Sequence, residues 1–438
     1  MIGGSSPDGG NVDYDVVVVG ASIAGCTAAM LYGRAGLRVA LLEKHRSANS
    51  FKALCGHFVL GGTEELLRRT GLWPELVAAG GVPARVALWN GSAWLTPPET
   101  PIAEPASRTP GPLPVPISLR RERLDPLLRR LAAETPGVDL LLGHRAVGLV
   151  AAAGRIVGVR TRTGDGAEHE HRGRLVVGAD GYRSTVADLA GVPRRETGNN
   201  RFGMWAYYRG VVGRAPGDSQ IWRLGGEWAR DTAIAVSTDD DLTMLVSFPT
   251  KARLAEFGAD RAAALERTFA AVADPPDLSG AERVSKVIGM TDYPCVRRDP
   301  TPAPGLYLVG DAAVTGDPLP AVGCGWAFRA ADWLVEATVP ELRGQASSGA
   351  ARRAYRRSLR FLLRHDRLAR RAALAGPPDP VQRAVLRAAV LDPEIGRRSY
   401  LFAMRAAPVS ALINPVTIGR ALAVSARGRP AVTAASTR

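Results

Sequence analysis

Cysteine, lysine and long apolar runs are all scarce in this chain of 438 residues, and each scarcity excludes something. The four cysteines, Cys26, Cys55, Cys295 and Cys324, stand far apart with no CxxC or zinc-like spacing, a poor disulfide framework for a chain of this size. A reducing, cytoplasmic setting suits them. No stretch holds about 18 uninterrupted apolar residues, so no transmembrane segment is expected. The first ten residues, MIGGSSPDGG, have neither the basic start nor the apolar core of a secretory leader, and export is not expected. Lysine occurs only at positions 44, 52, 251 and 286, amid abundant arginine and alanine, which reads as GC-rich bacterial coding and not as chemistry. No internal repeat is found.

Single cores stop growing at about 250–300 residues, so this length accommodates two or three lobes. The net charge of +14 is unevenly placed. From residue 343 onward there are 19 Lys and Arg against 4 Asp and Glu, which leaves the first 342 residues nearly neutral. The basic excess fits a solvated helix face or a docking surface for an acidic partner such as a carrier protein. Nucleic acid is not expected as a partner.

The most informative stretch is GASIAG at 20–25. The strand-like run Tyr14–Val19 leads into Gly20, and a small-residue helical run leads out through Gly25 to Leu31. A second β-rich run, Leu37–Leu42, stops at Glu43, 23 residues past Gly20. Strand, turn, helix, strand and terminal acid together form a dinucleotide-binding βαβ unit. Gly20 permits the sharp turn and Gly25 the close packing of helix on strand, while N–H groups at the helix start attract a pyrophosphate. Glu43 would accept from ribose hydroxyls, with Lys44 beside it. Ser22, flanked by Ile23 and Ala24, replaces the usual middle glycine where backbone approaches phosphate.

Further along, the segment 51–57 carries Lys52, Cys55 and His57 as candidate ligand neighbours, and Thr63–Leu67 signals a helix ending near Gly71. Eight prolines between 97 and 116 mark an irregular excursion. Arg120–Ala133 reads as an amphipathic helix with Leu124, Leu127, Leu128 and Leu131 on one face. Strands follow at Val138–Leu142, Ala146–Ala151, Ile156–Thr161 and Glu170–Gly178. Between 190 and 300 aromatic and β-branched alternation predicts strands at Phe202–Val212, Gln220–Leu224, Ala233–Thr238 and Leu242–Phe248, then a helix over 251–273 and a strand over Arg283–Met290. This segment reads as an inserted antiparallel sheet. At Gly305–Asp311 the chain re-enters the parallel sheet, and a helix begins near Gly325. Ala351–Arg371 predicts a helix with one apolar and one arginine-rich face, and the apolar run Tyr400–Ile413 predicts a docking helix. The expected domains are 11–190 and 301–342 for nucleotide binding, 191–300 for substrate, and a helical region at 343–438.

Three ordered motifs, GASIAG with Glu43, VVGADGYRS at 176–184 and YLVGDAAVTGDPLPAVGCG at 307–325, resemble those of flavin-dependent monooxygenases with the para-hydroxybenzoate hydroxylase fold. That superfamily also holds geranylgeranyl reductases and flavin-dependent halogenases. The resemblance covers roughly residues 13–340. It implies an α/β fold: an FAD-binding Rossmann-like parallel sheet, an inserted antiparallel substrate sheet and a helical C-terminal region. Gly20, Gly25 and Glu43 would hold the ADP half of FAD. Arg121 matches an arginine that reaches the cofactor, Asp180 and Gly181 lie near flavin dinucleotide and nicotinamide donor, and Arg183 follows in its usual place. Asp311, after Gly310, matches the aspartate on the ribityl chain, and Pro320, Gly323 and Gly325 match the loop under the flavin ring. Cys324 and Val314 depart from the family pattern, and Cys324 reads as a small packed residue beside the ring, with a redox thiol as the alternative.

The implied reaction is oxygen insertion through a flavin C4a-hydroperoxide, a hydroxylation or epoxidation of a hydrophobic small molecule in specialised metabolism. NAD(P)H would donate electrons transiently, since no second glycine-rich βαβ unit exists, or a separate flavin reductase would supply them. Trp205, Tyr207, Trp222 and Phe248 are the substrate candidates on the inserted sheet, and no acid or base is assigned. A geranylgeranyl-type reductase or dehydrogenase is the alternative. On one strand geranylgeranyl reductases tend to show Y-x-W-x-F-P and tryptophan halogenases W-x-W-x-I-P, whereas Met244–Pro249 keeps only the final Phe-Pro, so a halogenase is disfavoured. A flavin-binding docking protein is the non-enzymatic alternative.

Overall fold

The computed structural model describes residues 13–91, 93–95, 113–214, 218–224, 231–374 and 379–427. Most of the proline-rich excursion therefore lies outside the described residues. The chain begins with the predicted βαβ unit: strand β1 (Tyr14–Val19), helix α1 (Ile23–Arg34) and strand β2 (Val39–Glu43). The valines of β1 are fully or almost fully buried, as a strand flanked by parallel neighbours and covered on both faces requires. β1 pairs in parallel with β2 and with Glu168–Gly178, β2 pairs with Val138–Leu142, and the returning strand Leu306–Leu308 pairs with Glu168–Gly178. Two antiparallel strands, Arg155–Arg162 and Arg145–Ala152, complete this seven-stranded sheet. Their turn falls where expected, with Ala153 and Gly154 at positive φ.

The second sheet has eight strands. Its antiparallel centre is Gly203–Arg209, Leu242–Phe248, Thr232–Thr238 and Ser219–Arg223. The sheet is not wholly antiparallel, and not wholly drawn from 191–300. Val86–Trp89 joins Ser219–Arg223 in parallel, and Trp94–Leu95 pairs with it in turn. The strand period of two splits each strand between two cores. Trp205, Ile234, Val236, Met244, Val246 and Phe248 face the interior shared with the nucleotide-binding sheet. Met204, Ala206, Trp222, Ala233, Ala235 and Leu245 face the opposite way, against Phe257, Leu265 and Phe269.

Three predicted elements are divided. The helix over 251–273 breaks at Asp260, which adopts extended backbone and accepts from the N–H groups of Ala262 and Ala263 as the cap of Arg261–Ala270. The strand over 283–290 becomes Glu282–Arg283 and Ile288–Met290. The docking helix over 400–413 is two pieces, because Pro393–Ala403 ends before Arg405 at positive φ and Pro408 opens the short helix Val409–Leu412.

The C-terminal helices cover the interior. Tyr355, Leu359 and Leu362 of Ser348–Ala373 and Tyr400 and Met404 beyond it join the same core as α1. Tyr355 donates to the Leu308 carbonyl at 3.0 Å. No helix among the described residues is long and apolar enough to cross a membrane.

Trp222 is fully buried among Trp94 and Phe269 and donates its indole N–H to the Ala273 carbonyl at 2.8 Å. Trp222→Ala should lower stability by about 3–5 kcal/mol, read as the shift in a urea unfolding curve followed by circular dichroism. An unshifted midpoint would contradict this assignment of the second core.

Candidate active site

Where β1 ends, Gly20 turns the chain at φ +105°, and a Cβ there would lie 2.6 Å from the Ala179 carbonyl oxygen. A Cβ on Gly25 would lie 1.8 Å from the Gly20 carbonyl oxygen, so only glycine lets α1 start against this turn. Ser22 caps α1 without a side-chain bond to the helix backbone. The first N–H groups of α1 therefore have no intrahelical partner and stand beside Ser22, Ile23 and Ala24 in the wall of a cavity. Glu43 closes β2 and is 6% exposed; its carboxylate accepts from the Ala21 and His45 N–H groups at 3.0 Å each. Exposed Lys44 lines the same end.

The Ser22 hydroxyl has a different task from the glycine it replaces. It accepts from Arg121 Nη2 at 2.7 Å, and Arg121 also donates to Asp125 Oδ1 at 2.7 Å. The other Asp125 oxygen accepts from the Lys52 backbone N–H at 3.0 Å. Arg121 and Asp125, one turn apart on the helix Arg121–Ala133, are 5% and 1% exposed. Burial opposes the Arg121 charge, but Cys55, Asp125 and Cys324 outweigh it and raise its pKa. Asp125 carried no sequence signal of its own; neither did Arg129, whose guanidinium holds the Ala48 and Ser50 carbonyls.

Lys52, a substrate candidate, lines the cavity and forms an ion pair. Its Nζ lies 2.9 Å from Asp311 Oδ2, and this neighbour raises the ammonium pKa against the effect of burial. Asp180 accepts from the Ser184 hydroxyl at 2.6 Å and from the Val186 N–H at 3.0 Å, and burial raises its pKa. Gly181 has φ +85° and open space beside it, and Arg183 lies over the Tyr182 ring. Gly310 has φ +60°. Pro320 borders the same cavity, as do Gly323 and Cys324 at the start of the 20-residue helix Gly323–Leu342. Gly325 packs on Thr63, whose Oγ1 would be 2.6 Å from an added Cβ.

These groups surround one continuous cavity of about 1250 Å³. Its far end is the interior face of the second sheet, where Trp205 and Phe248 line it beside Val246. His57 also lines it, at φ +39°, with Nδ1 3.4 Å from the Tyr207 hydroxyl, so Tyr207 stands behind His57. Trp222 does not reach the cavity, because the strand alternation turns it into the second core. The helices after 343 close the remaining side through Leu359, Leu362, His365 and Met404, a role their composition did not signal. The buried Arg201–Asp317 ion pair, 2.8 Å long, also lines the space, and its two residues, 116 positions apart, carry no sequence signal.

Residues 13–361 match the FAD binding domain family. The chain belongs to this family. It is 31% identical over 333 residues to 6-methylpretetramide 4-monooxygenase of Streptomyces rimosus, covering 75% of this chain and 76% of that relative. It is also 35% identical over 187 residues to digeranylgeranylglycerophospholipid reductase 2 of Methanothermobacter thermautotrophicus, covering 42% and 43% of the two chains. The fold matches the solved structure of the flavin-dependent brominase Bmp2 with a TM-score of 0.73 at 19% identity, over 94% of this chain and 99% of that one. The chain is thus an FAD-dependent oxidoreductase with the α/β architecture read from its motifs.

The cavity fits FAD. The glycine-enforced cradle at Gly20 and Gly25, the open N-terminus of α1, Glu43 at the tip of β2 and the open space at Gly181 and Gly323 suit an extended dinucleotide. The volume exceeds the roughly 300–1,000 Å³ usual for one small ligand, which leaves room for a second molecule.

Burial pushes the His57 pKa down to about 4. The folded value lies below that of a free histidine, so the neutral ring's contribution is complete above about pH 6.5 and is lost as pH falls toward 4. The thermal midpoint of the native chain should therefore fall more steeply below about pH 6.5 than that of His57→Gln. Parallel curves would contradict a buried, neutral His57.

Proposed function

We propose that this protein is an FAD-dependent monooxygenase that hydroxylates or epoxidises a hydrophobic, polycyclic, polyketide-like small molecule in bacterial specialised metabolism. O2 and NAD(P)H are its co-substrates, and the reducing cytoplasm, where its four free cysteines would persist, is its place of action. The observation that carries this reading is the continuity of the cavity from Glu43 past Gly323 to the apolar sheet face. The relative from Streptomyces rimosus, which acts on 6-methylpretetramide, supports the substrate class.

In this reading Gly20, Ser22, Gly25 and Glu43 hold the ADP half of FAD, and Asp311, Pro320, Gly323 and Cys324 border its flavin end. Bound FAD supplies the electrons that activate O2. The first turn of Gly323–Leu342 directs N–H groups and the positive end of a 20-residue helix dipole at that position, favouring negative charge there. Trp205, Val246 and Phe248 exclude water from the substrate. The buried Trp205 indole N–H and His57 Nε2 have no hydrogen-bond partner within the protein. The nicotinamide donor would act transiently, or a separate flavin reductase would replace it. The arginine-rich face of Ser348–Ala373 remains a candidate surface for an acidic carrier protein.

The second reading, a double-bond reductase of the geranylgeranyl type, is favoured by the 35% identity to the archaeal reductase. Incubation with NADPH, labelled O2 and a panel of polycyclic phenols separates the two. Monooxygenation places one labelled oxygen atom in the product and stops without O2. A product hydrogenated under anaerobic conditions, or one without label, would overturn the leading reading.

A further inference from the structure

The fold brings together two cysteines that are 269 positions apart in sequence, with Cys55 Sγ 3.6 Å from Cys324 Sγ. We propose that Cys55 and Cys324 are a peroxide-oxidisable dithiol that closes into a disulfide across the cavity wall. Both border the cavity, so a small oxidant that enters it reaches them. Closure needs the sulfurs to approach from that contact to roughly 2 Å. The proposal goes beyond the monooxygenase reading and stands without it.

The surroundings divide the labour between the two. Cys55 Sγ shares a hydrogen bond with Cys324 and accepts the His57 N–H at 3.4 Å, and the Cys324 contact, with the Arg121 and Lys52 cations near, holds the Cys55 pKa well below the usual thiol value despite burial. The same hydrogen bond and burial push Cys324 up. Cys324 also occupies the first turn of a 20-residue helix, whose dipole favours the paired negative charge. Cys55 is therefore the attacking thiolate and Cys324 the resolving thiol. The other cysteines are built differently: Cys26 and Cys295 are fully buried, burial raises both, and Cys295 reaches about 11.

The chemistry balances with hydrogen peroxide as the oxidant. Cys55 thiolate attacks one peroxide oxygen, the O–O bond breaks, and the second oxygen leaves as hydroxide that takes a proton to become water. The Cys324 sulfur then displaces the sulfenic oxygen of Cys55 as a second water. Two thiols lose two electrons, and peroxide is reduced to two waters. The bond pins the segment carrying Lys52 and His57 to the start of Gly323–Leu342, so the redox state of the pair sets how two walls of the cavity meet.

The test uses the FAD-loaded full chain, one equivalent of hydrogen peroxide, alkylation and mass spectrometry of non-reduced tryptic peptides. The expected result is a link between the peptide holding Cys55 and that holding Cys324, loss of two of the four thiols, and full reversal by dithiothreitol. In Cys324→Ser, Cys55 should stop at the sulfenic acid and be captured by dimedone, whereas in Cys55→Ser residue Cys324 should stay reduced. Retention of all four thiols, over-oxidation of one cysteine without a link, or a link that includes Cys26 or Cys295 would overturn the proposal.

Discussion

The buried Arg121–Asp125 ion pair holds three separate segments around one cavity. Arg121 reaches the turn after β1 through Ser22, and Asp125 reaches the segment at Lys52 through its backbone N–H. Burying two charges is costly, and their attraction offsets that cost only where further hydrogen bonds complete both partners. Here they do, because the guanidinium has a hydroxyl acceptor and the carboxylate a backbone donor. Removing one partner would strand the other in the interior, at a cost of roughly 3–5 kcal/mol. The pair is thus weak evidence for stability and strong evidence for a fixed geometry, which is what a cofactor site needs.

The second organising fact is the two-faced sheet. One face packs on helices and forms a conventional core, while the other lines the cavity and meets the nucleotide-binding lobe. The C-terminal helices complete the enclosure. Their arginines are partly spent on this: Arg356 pairs with Asp299 at 2.7 Å, and Arg370 with Asp366 at 2.6 Å while donating to the Cys295 carbonyl. Those at 353, 357, 360, 364, 367 and 371 remain exposed. One helix therefore closes a ligand space and presents a basic surface.

The sequence is legible where function is local. Gly20, Gly25 and Glu43 lie within one βαβ unit; Gly25 meets the Gly20 carbonyl and Glu43 the Ala21 N–H of that same unit, so their spacing is legible, whereas the approach of Ala179 to Gly20 is not. Asp125 and the Cys55–Cys324 contact are invisible for the opposite reason, since each depends on chain that folding alone brings near. Trp222 shows a subtler limit: alternation identifies a strand, but the pattern is symmetric and does not say which face meets the cavity. Lys52 lines the cavity, but its ion pair with Asp311 is not legible in the sequence, because that partner is 259 residues away.

The most direct test of the account is a titration of purified apoprotein with FAD and, separately, FMN, followed by flavin absorbance and fluorescence. In the proposed reading the cradle at Gly20, Ser22, Gly25 and Glu43 holds the ADP half, of which FMN lacks the AMP portion. The account predicts one FAD per chain, bound at least roughly tenfold more tightly than FMN, a difference of about 1.4 kcal/mol or more. No binding of FAD, or equal affinity for the two flavins, would contradict it.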